Sequence, residues 1–202
     1  MPAVVPDPGN IRDFPDAAVF EAWLAAEHRQ AKELWLKIHR KGSGLPTVTY
    51  AEALDIALCW GWIDGQKKSL DDRHWLQRFT PRRARSLWSK VNVAKVAALI
   101  EAGRMQPPGH AQIEAAKADG RWAEAYDGAR TSSVPDDLRA ALDANPAAGR
   151  FFATINAGNR YAVTWRLQTA ARPETRAKRI AQLVEMLGRG EVIHLFKPKA
   201  KP

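Results

Sequence analysis

The sequence predicts an α+β fold: a small, mainly antiparallel sheet of about three to five strands with packed helices, followed by a small all-helical module. Three observations predict it. Apolar residues alternate at 33–40 and again at 62–80. Capped stretches with helical periodicity flank those runs. Beyond residue 135 no alternation is left, and four helix starts follow one another. The modules are set at residues 12–126 and 136–190.

The elements follow in order. Met1 to Asn10 is Pro-rich and reads as an irregular arm. Asp13-Phe14-Pro15-Asp16 opens a helix, with Asp13 as cap and Asp16 complementing the dipole; Val19, Phe20, Trp23 and Leu24 are its apolar stripe. From Glu33 to Arg40, Leu34, Leu36 and Ile38 point one way and Trp35, Lys37 and His39 the other, which is a half-buried strand. Thr49 and Glu52 form a capping box before a helix ending near Trp60, and Gly61 suits the left-handed stop. Trp62–Leu70 and Arg73–Thr80 read as a hairpin closed by Pro81. In its second strand Trp75, Gln77 and Phe79 share one face, and His74, Leu76 and Arg78 the other. Asn92 is expected to cap a helix with the stripe Val93, Val96, Ala97 and Ile100. Another helix spans about 110–118, and Asp127 to Pro135 is the linker candidate. Helices are then expected to start at Pro135, Asn145, Gly158 and Arg172, the last burying Ile180, Leu183, Val184 and Leu187. Lys197 to Pro202 is a basic tail, expected to be disordered.

With 202 residues the chain can bury a core without disulfides or metals. Cys59 is the single cysteine, and residues 1–30 carry no secretory signal pattern. No apolar run approaches 18 residues, so no membrane insertion is expected. The expected location is cytoplasmic. A net charge of +9 favours a small anionic ligand, an acidic protein or nucleic acid as partner.

That charge is concentrated. Between residues 60 and 95 stand nine Lys and Arg against three Asp, with four of the eight tryptophans. The candidate ligand-binding residues are therefore Arg82, Arg85 and Lys90 for anion charge, Ser86 and Ser89 for hydrogen bonds, and Trp62 and Trp88 as walls. Asp64, out of place in a strand, is a pocket carboxylate paired with Arg78 or Lys67, or else a structural salt bridge or turn contact. Against the groove stand plain readings: serines that cap turns, arginines on a solvated face, tryptophans in a core. The histidines are scattered and give no zinc pattern; no catalytic residue, metal site or cofactor is assigned. Nucleic acid has the charge and the interleaved aromatics behind it, but no recognition consensus.

Several blocks together resemble a bacterial family, the YdeI/OmpD-associated (OmdA-type) or bacteriocin-protection proteins. They are Glu33-Leu34-Trp35-Leu36, Tyr50 to Leu54, Ala57 to Gly65, Arg78 to Arg82, Ser86 to Ser89 with Asn92, Gly103-Arg104-Met105 with Gly109, Asp119 to Trp122, and Arg172 to Ile180. The resemblance covers roughly residues 14–190. It implies a tendency toward the YjbR/frataxin-like small α+β folds and an association with bacteriocin and antimicrobial-stress protection. It brings no reaction, cofactor or catalytic residue with it. The expected function is a non-enzymatic binding protein of this type, acting through the basic-aromatic groove. The rival is an enzyme on a small phosphorylated or carboxylated metabolite, with Asp64 as base.

Overall fold

The sheet of the N-terminal unit is laid around its second strand. In the computed structural model, which describes residues 4–40 and 42–194, four strands stand in the order β1-β2-β4-β3. They are β1 (Ile11–Arg12), β2 (Leu34–His39), β3 (Trp62–Ser69) and β4 (His74–Pro81). β2 pairs antiparallel with β4, and β4 antiparallel with β3, so the hairpin expected at 62–80 is present. β1 is parallel to β2 and follows directly on the arm expected to be irregular, at a place where no strand was expected; two residues are too few to show periodicity. The chain is thus α+β with a mainly antiparallel sheet and, among the described residues, eight α-helices and one 3-10 turn at Pro8–Asn10. The basic stretch Lys197 to Pro202 lies outside the described residues.

Strand alternation separates two faces. Leu34, Leu36, Ile38, Trp62 and Phe79 enter one core with Phe20 and Leu24 of α1 (Ala17–Glu27) and the apolar side of α2 (Tyr50–Cys59). The other face carries Trp35, Lys37 and His39 beside His74, Leu76 and Arg78. It is not simply solvated: Trp35 is wholly buried, and the Arg78 guanidinium lies 5.9 Å from its ring centroid. Arg78 is fixed there by an ion pair with Glu33 and a 3.1 Å hydrogen bond to Gln66. On the core face Gln77 donates to the Gly65 carbonyl (2.9 Å), beside the register shift between Asp64 and Lys67.

The caps set the helix starts. Thr49 and Glu52 form the capping box of α2 as expected. Asp16, not Asp13, caps α1 by accepting from Val19 N–H, and Asp13 faces Lys37 instead. α3 (Lys90–Glu101) begins two residues before Asn92, with the Lys90 N–H donating to the Tyr126 carbonyl. Its buried side is therefore Asn92, Val96 and Leu99, while Ile100 is exposed. α4 (Pro107–Ala118) starts at the proline rather than near His110, because a first-turn proline loses no helical bond.

The described residues form two compact units, one within residues 4–88 and 92–125 and the other within 89–91 and 126–194. The second holds α5 (Asp136–Asp143), α6 (Pro146–Thr154), α7 (Ala157–Gln168) and α8 (Pro173–Gly188). Leu138, Leu142, Phe152, Val163, Leu167, Leu183 and Leu187 form its core. Residues 127–132, expected as linker, are bonded to α7: Gln168 accepts from Asp127 N–H, Tyr161 donates to the Asp127 carbonyl, and Ser132 meets Thr164.

Candidate functional site

The outer sheet face brings two histidines together. Alternation along β2 places His39 on the side of Trp35 and Lys37, and the β2–β4 register sets it opposite His74. The two rings stand 4.6 Å apart, close to edge-on. Just before β4, the Asp71 carboxylate accepts from the backbone N–H groups of Arg73 and His74, both at 2.8 Å, a side-chain turn that suits aspartate. The same carboxylate takes Nδ1 of His74 at 2.7 Å. Burial alone would raise the Asp71 carboxyl, but the hydrogen bonds from Arg73 and His74 outweigh it and hold it below the usual carboxylate range. The Asp71 carboxylate can only accept, so Nδ1 of His74 is the donor of that pair and Nε2 is the ring atom left to face other groups.

His39 differs from its partner. Its Nδ1 is buried and, among the described residues, has no hydrogen-bond partner, an arrangement that asks for an explanation in a folded protein. Both residues line a cavity of about 480 Å³ shared with Lys37, Asp13, Phe14 and Pro46. The Lys37 ammonium lies 3.7 Å from Asp13. An ammonium and two imidazoles on one wall can receive an anion or a hydrogen-bonding oxygen, and an imidazole oriented by a carboxylate can move a proton. Among the described residues, no group of three or more His, Cys, Asp or Glu side chains is placed to hold a metal ion.

The residues expected to build the basic-aromatic groove separate. Trp62 and Trp88 are core side chains, at 1% and 2% exposure, and offer no face to a ligand. Arg82 is also buried: its guanidinium lies 3.5 Å from the Trp88 ring centroid and donates to the Leu87 carbonyl. Ser86 closes a turn by accepting from Arg83 N–H, and its carbonyl takes Arg121. Ser89 is buried and bridges to Tyr126. Lys90 pairs with Asp127 at 2.7 Å, and Arg85 is exposed. Asp64 pairs with neither Arg78 nor Lys67; it accepts from the Tyr50 hydroxyl at 2.8 Å, while Lys67 lies over the Trp75 ring and Arg78 binds Glu33.

The histidine pair was the residue set missed. Its signal was present in part, because alternation had already put both histidines on definite strand faces. The strand order, which carries β2 past β3 to pair with β4, was not readable from local pattern.

Three further comparisons bear on kinship. Residues 12–112 match the family model described as a domain of unknown function (DUF8412). Residues 131–190 match the model described as Bacteriocin-protection, YdeI or OmpD-Associated. The resemblance expected over 14–190 is thus met at 131–190, and a separate model covers the sheet-bearing part. No curated protein and no solved structure matches the chain. By these matches the chain belongs to the family of the DUF8412 domain and carries, behind that domain, a YdeI/OmpD-associated bacteriocin-protection module.

Proposed function

We propose that this protein binds a small anionic ligand, carrying a phosphate or carboxylate, in the cavity where Lys37, His39 and His74 converge. The observation that supports it most is the buried Nδ1 of His39, without a partner among the described residues, beside a histidine already oriented by Asp71. An anionic oxygen would satisfy that nitrogen and meet the Lys37 charge in one step. The description of the family matched at 131–190 names bacteriocin protection. On the present reading this chain serves such protection by binding, without turnover. The solvent-facing members of the basic stretch, Arg85 and Lys90, are the competing seat.

The test is a calorimetric titration of the full chain with inorganic phosphate and with short mono- and dicarboxylates. Lys37→Met and His39→Phe should each weaken binding about ten-fold or more. The double variant Arg85→Ala/Lys90→Ala should leave it unchanged. Loss in the latter pair alone would move the ligand to the start of α3, and no binding by any anion would end the proposal. The Asp71–His74 arrangement favours one second reading, an enzyme on the same class of ligand with His74 as general base. Turnover that His74→Gln abolishes, with ligand affinity kept, would select it.

A further inference from the structure

The C-terminal unit holds its own cavity, of about 650 Å³, within the usual range for small-molecule sites. Two helices and the segment that follows α8 build it. The last turn of α7 supplies Trp165 and Arg166, and α8 supplies Arg179, Leu183 and Met186, spaced so that they fall on one stripe. Val192 and Ile193 complete the wall after the turn at Gly190, whose φ of 73° is one that a residue with a Cβ avoids. That wall is fastened. The Asn159 amide, 3% exposed, accepts from His194 N–H at 2.9 Å and donates to the His194 carbonyl at 3.1 Å.

The lining is divided by chemistry. Leu183, Met186, Val192, Ile193 and the Trp165 ring form an apolar part, while Arg166 and Arg179 are its cations. Each guanidinium gives one nitrogen to a main-chain carbonyl, Arg179 to Arg166 and Arg166 to Ala162. Among the described residues neither is paired with a carboxylate. Two other arginines of α8 and its C-cap are neutralised, Arg176 by Asp137 and Arg189 by Glu185 and Glu191. Two half-buried cations without counter-ions at an apolar cavity favour an anion, and the apolar lining favours a hydrocarbon attached to it.

We propose that this cavity is a second binding site, for a single-chain amphiphile with an anionic head: the chain against Leu183, Met186, Val192 and Ile193, the head on Arg166 and Arg179. It shares no residue with the histidine cavity and does not rest on that reading. The full chain is titrated with decanoate, decanol and acetate, each below aggregation. Decanoate should bind one to one, decanol at least ten-fold more weakly, and acetate not measurably. Arg166→Gln and Arg179→Gln should each weaken decanoate about ten-fold while decanol stays as it was. Arg179→Lys, which restores the charge, should recover part of the affinity, and Val192→Asp should abolish binding in a chain that still melts cooperatively. Equal affinity for decanoate and decanol would reduce the site to an apolar surface. Acetate as tight as decanoate, or loss in His39→Phe rather than in the arginine variants, would overturn the proposal.

Discussion

Arg82 carries its charge into the interior of the N-terminal unit, where the Trp88 ring and the Leu87 carbonyl receive it. A desolvated cation over an aromatic ring contributes about 2 kcal/mol, and a charged hydrogen bond a similar amount. Arg82→Ala should therefore cost roughly 2–3 kcal/mol in urea denaturation, while phosphate affinity stays unchanged. Arg82→Lys should recover little, because an ammonium cannot stack as a planar guanidinium does. Tyr50 gives a second prediction. Burial first, then the Asp64 charge and the hydrogen bond to it, raise the Tyr50 phenol above the ordinary tyrosine range. The folded state thus holds this proton more tightly than the unfolded chain. Its contribution is complete below the ordinary value of about 10 and drains away as pH rises beyond it. Tyr50→Phe should therefore lose less stability than the parent chain between neutral pH and pH of about 11, as read from melting temperatures. Equal losses would assign the alkaline decline to other groups. Burial also pushes the Cys59 thiol up to about 11, so alkylation should require unfolding.

Helices α2 and α4 meet through glycine. A Cβ built on Gly109 would lie 2.2 Å from the Cys59 carbonyl oxygen, and one on Gly61 would lie 2.8 Å from that of Pro108. Gly109→Ala should cost about 3 kcal/mol or more in thermal denaturation, since backbone must move to admit it. Gly103→Ala, with open space around it but a φ of 66°, should cost only about 1 kcal/mol. At this scale the sequence was legible wherever the signal is local. The Thr49/Glu52 box, the Gly61 stop, the 62–80 hairpin and the alternating faces of β2 and β4 all depend on neighbouring residues. It was less legible where a distant group decides. Asn92 looks like a cap, yet the Tyr126 carbonyl takes the Lys90 N–H and the helix starts earlier. Trp35 looks like the exposed side of a strand, yet Arg78, held by Glu33, covers it. The candidate groove failed to assemble for the same reason. Trp62 and Trp88 advertise binding and burial alike, and their partners in the core, Trp23 and Trp122, lie far from them in sequence. The His39–His74 pair needs a register across 35 positions, which no window of sequence contains.

The two units bury separate cores, and among the described residues none belongs to both. The C-terminal one is the smaller, and a small core leaves little margin over chain entropy. The chain should therefore unfold in two calorimetric steps, the C-terminal unit first. Leu183→Ala, which empties a buried site in that unit, should lower the first step by roughly 2–4 kcal/mol and leave the second in place. The two cavities turn this into a sharper test, because a ligand stabilises only the unit that binds it. At about a hundred times its dissociation constant the gain is about 2.7 kcal/mol. Decanoate should raise the first step alone, through Arg166 and Arg179; phosphate should raise the second alone, through Lys37 and His39. If both ligands raised both steps together, the units would be unfolding as one body, and the steps could no longer be used to say which cavity each ligand occupies. If decanoate raised the second step instead, the amphiphile would belong to the sheet-bearing unit, and the uncompensated arginines of α7 and α8 would need another explanation.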